Sequence, residues 1–167
     1  MKEPRFCLMC GSTLVELHSD GRPRRICSAC GWTYYPQLKV GSASLVVDQG
    51  RLLLLRRAHQ PWQEYWNLPA GYVEADEDPR RAAERETFEE CGLQVSAGEL
   101  IADEFFADDP RGNGLLLVYR CKIVGGTLQT TAESQEACYF SPNEIPEELA
   151  GAAHDRTILR WAAGDFD

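Results

Sequence analysis

Three carboxylates, Glu86, Glu89 and Glu90, stand at i, i+3 and i+4 in the stretch Gly71 to Leu93, GYVEADEDPRRAAERETFEECGL. On a helix of 3.6 residues per turn, side chains at that spacing fall within an arc of roughly 100°. Like charges so placed cost an isolated helix about 0.2–0.5 kcal/mol per pair, so the face needs full solvation or a cation. The flanking residues do predict a helix. Asp78 suits the N-cap, Pro79 the first helical position, where its missing N–H does no harm, and Gly92 the C-terminal stop. Ala83, Thr87 and Cys91 then share the inward side, and the carboxylates form the active face.

The segments around this helix read as strands. Lys39 to Val47, the turn Asp48-Gln49-Gly50 and Arg51 to Arg57 predict a hairpin, and Leu100 to Phe106, Gly114 to Ile123 and Ala137 to Phe140 further strands. Pro142 to Leu149 reads as a short helix or turn. Ala152 to Ala163 reads as a final helix docking Ile158, Leu159, Trp161 and Ala162 on the sheet. Strands with helices on both sides predict an α/β domain of three layers. The turn-forming loop Asp108 to Gly114 is placed to sit over a site.

Residues 6–35 differ in kind. Cys7-Leu8-Met9-Cys10-Gly11 and Cys27-Ser28-Ala29-Cys30-Gly31 are two CxxCG knuckles with sixteen residues between the cysteine pairs, a spacing that fits a four-thiolate zinc site. Thr13 to Leu17 and Arg24 to Cys27, around the turn Ser19-Asp20-Gly21, and Trp32 to Tyr35 complete a zinc ribbon. Some thirty residues bury too little apolar surface to fold alone, so the metal is expected to be structural. A role in dimer contact, and capture of RNA or a phosphorylated ligand by Arg22, Arg24 and Arg25 beside Trp32, Tyr34 and Tyr35, are the other readings. The expected division is a ribbon over residues 1–36 and an α/β domain over 37–167.

The formal net charge of −9 repels nucleic acid and anionic membrane at long range, so neither is an expected partner. The 71–93 stretch holds eight carboxylates against Arg80, Arg81 and Arg85, which reads as site chemistry more than as solubility. No apolar run follows Met1 to Arg5, and no window of about 18 apolar residues spans a membrane. Seven cysteines then argue for metal ligation or buried thiols in a reducing compartment, and the expected location is cytoplasmic. Cys91, Cys121 and Cys138 read as buried thiols, and His18, His59 and His154 receive no function.

Written as a pattern, the stretch is Gly, five residues, Glu, seven residues, then Arg-Glu-x-x-Glu-Glu-x-Gly-Leu. Gly71, Glu77, Arg85, Glu86, Glu89, Glu90, Gly92 and Leu93 fill it at every spacing. This resembles the box of the Nudix hydrolases. One position departs: Thr87 stands where the family carries an aliphatic residue, at a packing position. The resemblance implies an α/β/α sandwich with a mixed sheet and Mg²⁺- or Mn²⁺-dependent hydrolysis of a nucleoside diphosphate derivative. It implies Glu86, Glu89, Glu90 and the Gly71 carbonyl as metal ligands, and Arg85 with Glu77 as the ion pair that orients the loop. Hard divalent cations do choose carboxylate oxygens and water, and a diphosphate brings further oxygens. Glu133 and Glu136, just ahead of a late strand, stand where many members place a further acidic residue as ligand or base.

The four-cysteine ribbon followed by Leu68-Pro69-Ala70-Gly71 resembles the zinc-ribbon branch that acts on FAD and ADP-ribose. A relative of the NADH pyrophosphatases, which also act on NAD-capped RNA, is the weaker expectation, because Ile101 to Asn113 lacks their downstream proline-rich motif. A non-catalytic nucleotide sensor with a nucleic-acid-binding ribbon is the rival from another class. Trp62, Tyr65 and Trp66, in or just after a loop, are expected first to be buried against the core, with base stacking the other reading; for the substrate, they and Phe105, Phe106 and Tyr119 offer stacking faces. Arg56, Arg57 and Arg120 offer phosphate contacts. A homodimer is a further expectation.

Overall fold

A computed structural model describes residues 3–166, which divide into two compact units between Leu38 and Lys39. The first holds three short antiparallel strands in the order β1 (Leu14–Ser19), β2 (Arg22–Cys27), β3 (Thr33–Tyr34). Leu14 pairs with Cys27 and Ser19 with Arg22 across the Asp20-Gly21 turn. Among the described residues its core is Cys7, Leu14 and Cys27, with Trp32 and Tyr34 against them. That is too little apolar burial to hold thirty residues without help. The arginine cluster is engaged locally. Arg25 pairs with Glu3 at 2.9 Å and Glu16 at 3.8 Å, and Arg24 lies 4.9 Å over the Tyr35 ring.

The second unit runs β4 (Lys39–Asp48), β5 (Arg51–Arg57), β6 (Trp66–Asn67), β7 (Ala70–Tyr72), α1 (Pro79–Cys91), β8 (Leu93–Phe106), β9 (Gly114–Gly126), β10 (Ser134–Phe140), α2 (His154–Ala162). Its sheet has the order β10-β5-β4-β9-β8, with β6 beside β5 and β7 beside β4. β4 and β9 are parallel and the other pairs antiparallel, so the sheet is mixed.

The period of two in a strand explains the layers. Leu52 and Leu54 of β5 join a core with Leu45, Ile158 and Trp161 on the α2 side. Leu53 and Leu55 join another with Val46, Ala83 and Cys91 on the α1 side. Each of these leucines is at most 2 % exposed, and each burial stabilises by roughly 1.5–3 kcal/mol. The expected three-layer α/β architecture is therefore the one observed. Among the described residues no helix is long and apolar enough to cross a membrane.

α1 begins and ends where its cap residues place it. Asp78 accepts the Arg80 N–H at 2.9 Å, Pro79 opens the helix, and Gly92 closes it in the left-handed region at φ 73°. Ala82, Ala83, Thr87 and Cys91 are fully buried against the sheet. Sheet hydroxyls meet helix carbonyls across this interface: Ser42 Oγ donates to Pro79 O at 2.6 Å and Ser44 Oγ to Ala83 O at 3.1 Å.

Pro142 to Leu149, expected as a short helix or turn, is a turn followed by irregular backbone. Two expectations need correction. β8 starts at Leu93, seven residues before the expected Leu100, and accommodates Gly98 and Glu99 through irregular register. α2 starts at His154 because Ala152 and Ala153 take left-handed backbone, and Leu159 is 56 % exposed, since it lies one helical step, about 100°, from Ile158.

Thr87 is the position where the chain departs from an aliphatic residue, and its Oγ1 lies 2.7 Å from both Ser44 Oγ and Ala83 O with no exposure. Thr87→Val keeps the shape and removes the hydroxyl, leaving the Ser44 oxygen with only the weak Cys121 thiol, at 3.2 Å, as donor. Chemical denaturation should show a loss of about 1–2 kcal/mol. Equal or higher stability would mean that the buried hydroxyl pair contributes nothing.

Candidate active site

The four knuckle cysteines gather at one point. Their sulfurs all lie within 4.8 Å of one another, with Cys7–Cys30 at 3.6 Å and Cys10–Cys27 at 3.5 Å. Each knuckle is closed by a backbone bond, Gly11 N–H to Cys7 O and Gly31 N–H to Cys27 O, both 2.9 Å. A tetrahedral zinc with Zn–S bonds near 2.3 Å needs sulfurs about 3.8 Å apart, so the residues fit the ion.

In the α/β unit, α1, β7 and the segments after β5, β8 and β9 enclose a cavity of ≈330 Å³. Glu86, Glu89 and Glu90 line it from α1, and Glu133 from the residue before β10. Glu90 is buried, and its carboxylate accepts the Ala70 N–H at 2.9 Å. Burial pushes its carboxyl up to about 8, against the pull of that hydrogen bond and of Arg57. Burial also raises the Glu86 carboxyl, although Arg85 opposes the rise. Gly71 matters through what it lacks: a Cβ there would collide with the Glu86 carboxylate, so the side chain can lie against the β7 backbone.

Arg85 organises the exposed half of the cluster. It makes a two-pronged pair with Glu77 at 2.9 and 2.8 Å and donates to the Tyr72 carbonyl at 3.1 Å. Its Nη1 reaches Glu86 at 2.6 Å and Glu89 at 3.0 Å. The guanidinium thus joins the loop 72–77 to the helix face. Glu77 is correspondingly held below its usual range by that hydrogen bond.

These oxygens fit a hard divalent cation. Glu90 has no cationic side chain hydrogen-bonded to it among the described residues, and the donor set is all carboxylate with a backbone carbonyl adjacent. The carboxylates do not close to the spacing of the sulfurs. The four cysteines are the one tight ligand group among the described residues.

The opposite wall is basic and aromatic. Arg57 donates Nε to Pro61 O at 2.9 Å, and among the described residues its Nη groups take no hydrogen bond. Phe106 and Leu116 are buried wall residues. Arg111 is held by the buried Asp109, Nη2 to Oδ2 at 2.6 Å, and lies 5.3 Å over the Tyr72 ring. His154 also lines the cavity, and burial together with Arg57 and Arg111 pushes its imidazole down to about 3.

The cavity brings together Gly71, Glu86, Glu89, Glu90, Glu133, Arg57 and Phe106 from the sequence reading. Others lie elsewhere. Glu136 sits inside β10, past an irregularity, where it pairs with Arg56 at 2.7 Å, so both are spent on each other outside the cavity. Trp62 and Trp66 pack against the core, Trp66 edge-on to Phe140 at 4.8 Å. Tyr119 is buried on the α1 side, Arg120 donates to Phe166 O, and Tyr65 and Phe105 are exposed away from the cavity. The sequence reading missed Tyr72, Asp109, Arg111 and His154. The loop Asp108 to Gly114 carried the signal for two of them, and nothing local marked His154.

Residues 36–162 match the family described as NUDIX domain, and residues 5–36 the one described as Nudix N-terminal, a zinc ribbon. An ADP-ribose pyrophosphatase of Methanocaldococcus jannaschii is 30 % identical over 124 residues, 72 % of each chain. The NAD-capped RNA hydrolase NudC of Stutzerimonas stutzeri is 30 % identical over 148 residues, 87 % of this chain but 51 % of that protein. A NUDIX hydrolase from Nitrosomonas europaea has a crystal structure that superposes with a TM-score of 0.84 at 29 % identity, covering 96 % of this chain and 91 % of that one.

The ribbon generates its own prediction. The purified protein should carry about one zinc per chain, and Cys27→Ser should lose it and open residues 5–36 to protease, because metal binding is coupled to folding in so small a unit. A metal-free ribbon with intact protease resistance would contradict this.

Proposed function

The chain belongs to the NUDIX family, and from that membership and the cavity we propose that it hydrolyses the pyrophosphate bond of a nucleoside diphosphate derivative, ADP-ribose or FAD first among them. One observation carries the reading: among the described residues, a buried Glu90 that makes no ion pair shares a cavity with Glu86, Glu89 and Glu133 and with Arg57, whose Nη groups make no hydrogen bond.

On this reading Glu86, Glu89, Glu90 and the Gly71 carbonyl hold Mg²⁺ or Mn²⁺. The cation supplies charge that offsets the phosphates and the charge developing at phosphorus. The chain supplies the rest. Ala70 N–H fixes the Glu90 carboxylate, and Arg85 sets Glu86 and Glu89 while its grip on Glu77 holds the loop. Arg57, already desolvated and anchored through Nε, points its unpaired groups to phosphate oxygens. Glu133 reaches the cavity from a loop and is the carboxylate available to take a proton from the attacking water. Water adds to one phosphorus, the bridging P–O bond breaks, and two phosphomonoesters leave.

The reading divides the chain at residue 36, with a structural ribbon before the hydrolase domain. It extends to a cytoplasmic location and to a homodimer. The NudC likeness favours NAD-capped RNA as the second substrate class, since that alignment includes most of the present chain.

Glu90→Gln retains the shape and the Ala70 hydrogen bond while removing the charge. It should lower turnover by orders of magnitude with an unchanged fold. The screen is hydrolysis of ADP-ribose, FAD, NADH, CoA and nucleoside triphosphates with Mg²⁺ or Mn²⁺, products identified by mass. Near-normal turnover across that panel would sink the mechanism.

A further inference from the structure

His154 opens α2 on the cavity wall, is 8 % exposed, and its Nδ1 meets no hydrogen-bond partner among the described residues. Leaving a buried polar group unpaired costs about 1–3 kcal/mol. The chain accepts a second cost at the same place. Ala152 and Ala153 both lie in the left-handed region, φ 56° and 74°, which costs a non-glycine residue about 1–2 kcal/mol. The turn is held rather than loose. Asp108 Oδ2 accepts the Ala152 N–H at 3.0 Å, and a Cβ on Gly151 would collide with that carboxylate and with the Trp62 ring. Backbone strain that delivers an unpartnered polar side chain to a cavity wall points to a task for that side chain.

The surroundings define the task. Arg57 and Arg111 are the charged groups acting on the imidazole, and with burial they keep it neutral. A neutral imidazole offers one donor and one acceptor and no charge. It is therefore suited to an uncharged polar group lying beside the anionic part of a ligand.

We propose that His154 is a specificity-determining residue whose imidazole hydrogen-bonds an uncharged polar group of the substrate, a sugar hydroxyl or a nucleobase edge, while Arg57 beside it meets phosphate oxygens. The proposal rests on the nucleoside diphosphate reading above and names the feature of that substrate which the distal wall selects. A site built to hydrogen-bond a substrate group rejects an analogue lacking it far more strongly than an apolar wall does.

The test uses the full, zinc-loaded chain without added Mg²⁺ or Mn²⁺, labelled uniformly with ¹⁵N, so that backbone amides report along the chain and ring nitrogens report from only three histidines, His18, His59 and His154. It is titrated with ADP-ribose, AMP and ribose 5-phosphate. ADP-ribose should shift the ring nitrogens of His154, and so should one of its halves, ribose 5-phosphate marking a sugar hydroxyl and AMP a base edge. Backbone shifts at Ala70 and Gly71 with an unmoved His154 ring overturn the inference and leave the hydrolase reading standing. No shift at any of these positions overturns both.

Kinetics supply the second arm. His154→Phe should lower kcat/KM for ADP-ribose about 10- to 100-fold, mainly through KM, with His154→Gln recovering part of the loss. Equal losses in the two variants, or a loss confined to kcat, would show that the ring serves structure alone.

Discussion

Glu90 is held against β7 by one hydrogen bond from the Ala70 N–H, and burial has pushed its carboxyl up to about 8. A carboxylate removed from water without a partner is among the costliest things a fold can contain. Everything near it is arranged so that the cost persists. Ala82 and Ala83 let α1 sit close to the sheet, the serine and threonine hydroxyls of the interface lock its rotation, and Asp78 and Gly92 fix its length. With that rotation set, Glu86 faces the same cavity one turn earlier, and Glu89, one residue before Glu90, lies on the same wall three residues from Glu86.

Arg85 shows how the fold tolerates the exposed part of this charge. One guanidinium binds Glu77, Glu86 and Glu89 at once, a network that orders a loop and a helix face together. It does not reach Glu90. The deep carboxylate is left to be neutralised by a proton or by a cation, and the acidic excess of the 71–93 stretch is explained by that choice. The two proposed metal sites then differ in kind. Soft sulfurs in the ribbon close on each other and hold a small fold together, while hard oxygens in the α/β unit stay spread around a cavity that must also admit a substrate.

What could be read before the structure follows the range over which each signal acts. α1 was legible to the residue because Asp78, Pro79 and Gly92 act within one turn. The run of four leucines in β5 marked a strand, and its period of two assigns them to the two faces. The first half of β8 was not legible: Ser96, Gly98 and Glu99 look like a turn, and only pairing to β9 through irregular register makes them strand. Glu136 and Arg56 looked like site residues because each is charged and near the right place in the chain. Their side chains meet across neighbouring strands instead. His154 comes from the far end of the chain to a cavity built around residues 41–133, a placement that no spacing rule contains.

The central claim is that the buried carboxylate is built for a cation, and linkage between stability and pH tests it. Glu90 has a folded value near 8, above its ordinary 4.5, so the stability tied to its protonated form is full below 4.5 and is lost as pH rises through 8. His154 works in the opposite sense at lower pH, losing stability as pH falls below 6.5, so in a window from about pH 7 to 8.5 the carboxylate's share is read as the difference between the chain and Glu90→Gln, in which the buried thiols and zinc ligands common to both cancel. The measurement is chemical denaturation of the zinc-loaded protein across that window, with and without saturating Mg²⁺. The account predicts that without Mg²⁺ stability falls more steeply with rising pH in the chain than in Glu90→Gln, and that Mg²⁺ removes this excess. Parallel curves with and without Mg²⁺, or an undiminished fall in Glu90→Gln, would contradict it.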